Sequence, residues 1–188
     1  SSDLVAQHGR LDVLVNNAGG APFTDAATAS PRFHDKIFAL NLTAPFALSQ
    51  MANKVMQAQA GGGVIVFVGS ISALRPSPGT AAYGAAKAGV LSLVQSLAVE
   101  WAPKVRLVSV SPGPVRTEQA HLHFGDEAGI AAVGKTIPLG RMAEPADIGN
   151  ACVYLSSEQA AYISGVNLTV HGGGEKPAFL DAANAKHD

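Results

Sequence analysis

A single cysteine, Cys152, excludes an internal disulfide and fits a reducing compartment such as the cytoplasm. Charge is scarce as well. Asp, Glu, Lys and Arg make up 14% of the chain and nearly cancel, to a net −1, with no basic stripe. Neither nucleic acid nor a membrane surface is expected as a partner, since both favour clustered Lys and Arg. Aromatics supply only 6%. The longest apolar runs, such as Val64–Val68, are strand-length, so no bilayer span is expected. His121 and His123 have no carboxylate or cysteine at metal-ligand spacing, and no metal site is expected. They read as part of a lid or as solvated residues.

Hydrophobic residues, by contrast, reach 47%, and glycine (20) and alanine are plentiful, which suits closely packed layers of helix and sheet. Leu11–Asn17, Val64–Val68, Val105–Val110 and Val166–Val170 read as strands, each ending in polar residues, Gly or Pro. Such continuous apolar runs belong to a parallel sheet covered on both faces. Between them, His34–Gln59 has apolar residues near a 3.6-residue period, with Pro45 expected to kink or split it. Ala81–Trp101 and Pro145–Ser156 are the other helices. In Ala81–Trp101 the Ala85, Ala88 and Leu91 stripe reads first as a packing surface. The alternation predicts one doubly wound parallel α/β domain over 1–174 with right-handed crossovers. Residues 175–188 form a C-terminal extension, with Phe179 and Leu180 its candidates for packing.

Ligands of open parallel sheets bind beyond the carboxyl ends of the strands. Those ends are Asn16-Asn17-Ala18-Gly19, Gly69-Ser70 and Ser111-Pro112-Gly113-Pro114-Val115-Arg116-Thr117. Tyr83 and Lys87, four apart on one helix, share a face. An ammonium roughly 5 Å from a phenol favours phenolate by about 3 kcal/mol at an effective dielectric near 20. That lowers a phenol pKa of about 10 by about two, enough for proton transfer near neutrality. Ser70 is placed to orient a substrate oxygen; Ser72 competes for that role at a worse spacing. Taken singly, each feature has a plainer reading: a strand-ending turn, a helix kink at Asn41, a turn hydroxyl, a Pro-Gly breaker, a buried inert Cys152.

In combination, Asn16-Asn17-Ala18-Gly19, Asn41, Ser70, Tyr83-Gly84-Ala85-Ala86-Lys87 and Pro112 to Thr117 occur in the order of the short-chain dehydrogenase/reductase family. Ser70 precedes Tyr83 by thirteen residues, and the segments Pro138 to Arg141 and Ser164 to Gly173 also resemble that family. The resemblance covers about Leu4 to Gly174 and implies a Rossmann-like fold. It further implies an oxidoreductase that moves hydride between NAD or NADP and a secondary alcohol or ketone, as a cytoplasmic homo-oligomer, dimer or tetramer. Tyr83 would exchange the proton, Lys87 would lower the Tyr83 pKa and bond the nicotinamide ribose, and Ser70 would hold the substrate oxygen. Asn41 would bind a water linking Lys87 to solvent. Asn16, Ala18 and Gly19 would pass beside the ribose, and Pro112, Gly113, Val115 and Thr117 would cradle the nicotinamide. The family also offers an intersubunit helix bundle as an alternative use for the Ala85 stripe.

The family's first βαβ half, with its glycine-rich phosphate loop, has no counterpart in these residues; Gly61-Gly62-Gly63 precedes a strand, the wrong side for a phosphate. The chain is therefore expected to be a fragment, or the ordered part of a longer protein, with Leu11–Asn17 at a sheet edge. Pro114 to Ile137, with Leu122, Phe124 and Ile130, reads as a substrate lid, and its few charges point to a largely apolar substrate. A narrower alternative is a 3-oxoacyl-thioester reductase, which would need a basic patch from Arg75, Arg116 and Arg141. A non-catalytic Rossmann-like binding or assembly module is the rival from another class.

Overall fold

The computed structural model describes residues 2–184; Ser1 and the last four residues of the 175–188 extension lie outside the described residues. Four parallel strands form one sheet in the order β1 (Val13–Asn16), β2 (Gly63–Val68), β3 (Val105–Pro112) and β4 (Val166–Val170). The helices are α1 (Ser2–His8), α2 (Pro31–Phe38), α3 (Ala44–Ala58), α4 (Ala81–Glu100), α5 (His121–Phe124), α6 (Glu127–Thr136), α7 (Pro145–Ser156) and α8 (Phe179–Ala182).

The sheet is covered on both sides, which is why β2 and β3 are apolar at consecutive positions rather than at alternate ones. Ile65, Phe67, Val105 and Leu107 turn to one face and meet Ala52 and Met56 of α3 and Val90, Val94 and Leu97 of α4. Val64, Val66, Val108 and Val110 turn to the other and meet Ile148 and Leu155 of α7. The chain crosses from β1 to β2 and from β2 to β3 on the first face, and reaches β4 on the second. All steps run in the same direction through parallel strands, so the change of face reverses the hand of the last crossover. The expectation of right-handed crossovers throughout fails there.

Helix α4 is long enough and apolar enough to cross a bilayer by length and composition alone. Its alanines, glycines and serines dilute the apolar residues, so no single run shows it in the sequence. In the structure its inner face lies along β3 and shares a core with β2, with Lys87 turned inward.

The break expected at Pro45 takes a particular form. Ser30 accepts a hydrogen bond from the Phe33 N–H and starts α2 at Pro31, three residues earlier than the periodicity indicates. A π-helical turn, Ala39–Thr43, then joins α2 to α3. Pro45 has no N–H to offer the carbonyl of Asn41, and one wider turn absorbs that missing bond.

The extension does not pack as expected. Phe179 and Leu180 are 70% and 46% exposed, because α8 is a single turn held by its own Lys176–Asp181 pair rather than by the core.

Candidate active site

The carboxyl ends of β1, β2 and β3 share one rim of the sheet, because parallel strands all point the same way. A cavity of about 540 Å³ opens there, lined by Asn17, Gly19, Ser70, Tyr83, Lys87, Pro112, Gly113, Val115 and Phe124 among others. Ser70 sits just past β2, where its hydroxyl accepts from the Ser72 N–H at 3.1 Å. Ser72 lines the same cavity but serves as donor in this turn. Tyr83 and Lys87 reach the cavity from the first two turns of α4.

Lys87 is 4% exposed. Its ammonium donates to the Val68 carbonyl at 2.7 Å and lies 5.6 Å from the centre of the Tyr83 ring, within cation–π range. Burial pushes its pKa down to about 8. Burial also pushes the Tyr83 phenol above its ordinary value, and the interaction with the Ser70 hydroxyl pulls it partway back. The expectation that Lys87 lowers the Tyr83 pKa is thus not met. The ammonium is directed at the ring face and at a backbone carbonyl, and the desolvation that raises the phenol also weakens the lysine's own charge.

Asn41 is fully buried in the π turn. Its amide donates to the carbonyls of Ile37 (2.9 Å) and Gly20 (3.0 Å), and its Oδ1 accepts from the Gly20 N–H (2.8 Å). Both amide hydrogens are committed to protein carbonyls, so the side chain clamps the loop after β1. Asn16 also departs from expectation. Its amide turns away from the rim and donates to Ser49 Oγ at 2.9 Å, while Ser49 donates to the Pro45 carbonyl. Asn17 lines the cavity instead. Side chains alternate along a strand, so only one of the adjacent pair faces the rim, a signal present in the sequence but outweighed by the motif. Ala18 is exposed and lines neither cavity nor cleft, whereas Gly19 lines both.

Pro112, Gly113 and Val115 reach the cavity. Gly113 packs on His171, and Val115 bridges to Ala143. Thr117 lies one step further out, in an adjoining cleft of about 1050 Å³ that shares Gly19, Gly20, Phe23 and His123 with the Tyr83 cavity. The lid expected over Pro114 to Ile137 contains two helices, α5 and α6. Phe124 and His123 line the cavity and Leu122 the cleft. Ile130 is turned inward with Ala120, Ile137 and Met142 as a small core of the lid's own, so it does not face a ligand. Ser77 and Phe23 also line the cavity, a place that sequence reasoning does not give them, and so does Arg75, the one arginine of the expected basic patch to reach it.

Fold and site together define a doubly wound parallel α/β protein with a serine, a tyrosine and a buried lysine on one cavity at the carboxyl edge. The family model described as "Enoyl-(Acyl carrier protein) reductase" matches residues 1–175. A 3alpha-hydroxysteroid dehydrogenase of Mediterraneibacter gnavus is 41% identical over 88% of the chain and 66% of its own length. A D-threitol dehydrogenase of Mycolicibacterium smegmatis is 39% identical over 90% of the chain and 65% of its own length. Among solved structures, a 4-hydroxyisoleucine dehydrogenase mutant complexed with NADH and succinate superimposes with a TM-score of 0.84 at 32% identity, over 93% of this chain and 74% of that one. The chain belongs to the short-chain dehydrogenase/reductase family. It spans just under two thirds of the length of these two curated relatives.

Proposed function

We propose that the protein transfers hydride between a nicotinamide cofactor, NAD or NADP, and a secondary alcohol or ketone. The observation that carries this reading is the meeting of Ser70, Tyr83 and Lys87 on one cavity. The dehydrogenases among the relatives, and the NADH bound in the 4-hydroxyisoleucine dehydrogenase, support it.

The residues present fit the nicotinamide end of such a cofactor. Lys87 is a buried cation with three N–H donors and one protein acceptor, Val68 O, among the described residues. A ribose diol supplies the acceptors that a buried ammonium lacks. Gly113 and Val115 would border the nicotinamide, with Thr117 beyond them. When bound, the cofactor gives or takes the hydride. The chain's own residues manage the proton: Ser70 holds the substrate oxygen, and Tyr83 Oη donates to it in reduction and accepts from it in oxidation. A water at the Asn41 carbonyl, which Pro45 leaves without its α-helical donor, would extend the proton path from Lys87.

The walls formed by Phe23, Ile71, Val115 and Phe124 support a substrate that is largely apolar near its reacting carbon. The 3-oxoacyl-thioester alternative gains little, since Arg116 and Arg141 lie off the Tyr83 cavity, paired with Glu127 and Asp147, and Arg75 alone makes no basic patch. The binding-module alternative leaves the buried Lys87 beside Tyr83 without a purpose.

Assembly into a homotetramer is part of the same reading. Leu48 and Met51 of α3 and Val99 of α4 are 47%, 57% and 81% exposed, and Ala85 and Ala88 are exposed as well. Val153 and Tyr162, 71% and 104% exposed, lie on α7 and just after it. Two separate apolar surfaces, each self-paired about a two-fold axis, generate a tetramer. The lone Cys152 supports a cytoplasmic setting.

The test is Tyr83→Phe. Ketone reduction should fall by about 10²–10⁴, while NADH or NADPH binding, followed by fluorescence titration, stays within a few-fold of the parent. Undiminished turnover in this variant would remove Tyr83 from its role.

A further inference from the structure

The cavity around Tyr83 has an uneven charge. Among the described residues two full cations line it, Lys87 and Arg75, and no carboxylate does. Lys87 belongs to the machinery already described; Arg75 does not. It sits five residues after Ser70, beyond the single 3₁₀ turn Ile71–Ala73. One edge of its guanidinium is fixed by its own backbone, with NH1 donating to the Pro76 carbonyl at 2.8 Å. The other edge pairs with Glu175 Oε1 at 2.8 Å, and the two side chains remain 37% and 46% exposed.

Glu175 is itself not part of the cavity wall. It is brought to Arg75 by the turn after β4, where Gly172, Gly173 and Gly174 all have positive φ, 65°, 100° and 90°. A Cβ on Gly172 would stand 2.7 Å from Ile137 Cγ2, and one on Gly173 would stand 2.8 Å from Pro138 Cβ. Only glycine passes this point, so the path that delivers the carboxylate is built into the turn. A half-exposed ion pair is weak and readily exchanged.

We propose that Arg75 anchors a carboxylate carried by the substrate, and that Glu175 occupies this anchor as an internal stand-in until such a substrate displaces it. The proposal rests on the hydride-transfer reading and sharpens it to a substrate class: oxo- and hydroxy-acids whose carbonyl lies at Ser70 and Tyr83 and whose carboxylate lies at Arg75. Phe23, Ile71 and Phe124 enclose the apolar carbons between the two ends. A guanidinium suits this task because its planar fork takes both oxygens of a carboxylate.

The experiment compares 5-oxohexanoate and 6-oxoheptanoate with their methyl esters, using NADH and NADPH, in the parent protein, Arg75→Gln, Arg75→Lys and Glu175→Gln. The acids should be preferred by the parent. Arg75→Gln should raise the KM for the acid by about tenfold or more, the loss expected for a charged hydrogen bond, and leave the ester alone. Arg75→Lys should restore part of the preference, and Glu175→Gln should lower the KM for the acid several-fold. Equal acid-to-ester ratios in the parent and Arg75→Gln would overturn the anchor while leaving the oxidoreductase reading intact. Calorimetric binding of hexanoate supplies a readout that needs no turnover. Affinity lost in Arg75→Gln, in a protein that reduces no ketone, would uphold the anion site and sink the redox reading. Affinity unchanged in that variant would sink the site.

Discussion

Gly19 and Asn41 approach so closely that a Cβ on Gly19 would stand 2.7 Å from Asn41 Oδ1 and 3.2 Å from Lys87 Nζ. The loop after β1, the π turn and the lysine on α4 thus meet at a point where one methyl group has no room. Gly19→Ala should therefore cost about 1–3 kcal/mol of stability. Turnover should fall by more than that loss accounts for, because Lys87 or Asn41 must move. Urea unfolding and kcat/KM for the same preparation check this; a variant of normal activity would show that the contact relaxes freely.

The pH dependence of alcohol oxidation follows from the Ser70–Tyr83 contact. Oxidation needs the phenol to accept a proton, so its rate rises with pH as phenolate forms. Burial raises the Tyr83 pKa and Ser70 opposes the rise. Without the Ser70 hydroxyl the pKa climbs further, and the rising limb of kcat/KM for oxidation should move to higher pH in Ser70→Ala. A limb that stays put or moves to lower pH would contradict the assignment.

Lys87 has a second, purely thermodynamic signature. Its pKa is about 8 in the folded protein against an ordinary lysine value of 10.5. Between these two values the unfolded chain binds more protons than the native one, so native stability gains with rising pH in that window. Lys87→Met removes the effect. The stability of the parent relative to this variant should increase from pH 8 towards pH 10.5, as read from urea midpoints; a constant difference would mean that the ammonium is not strained by burial.

Asn16 and Asn17 separate structure from chemistry within one dipeptide. Asn16→Ala removes the buried bond to Ser49 and should cost about 1 kcal/mol, with KM for cofactor and substrate unchanged. Asn17→Ala leaves stability within about 0.5 kcal/mol, as surface substitutions do, and alters KM. The reverse pattern would restore the motif-based assignment of Asn16.

The strands and the Tyr83–Lys87 pair were readable in advance because each rests on a short-range rule: continuous apolar runs for covered strands, and four-residue spacing for a shared helix face. Pro45 announced a break, but not where the Asn41 side chain would turn, since that depends on the Gly20 backbone arriving from β1. Helix α6 was missed because its Ala and Gly positions blur the period, and the Asp126 cap that starts it lies within what reads as a loop. The sign of the Tyr83 shift was misjudged for a related reason. A pairwise Coulomb estimate sees the distance to Lys87 but not the desolvation the two groups share.

The π turn also ties the interior of the protein to the rim that holds Tyr83 and Lys87. A π turn takes up one extra residue within a single turn, so the helix beyond it keeps its facing although the residue count departs from the α period. Ala52 and Met56 therefore meet the sheet that hides them. Excising one residue here would leave that interior in register, and the loss would fall on the Asn41 clamp that holds Gly20.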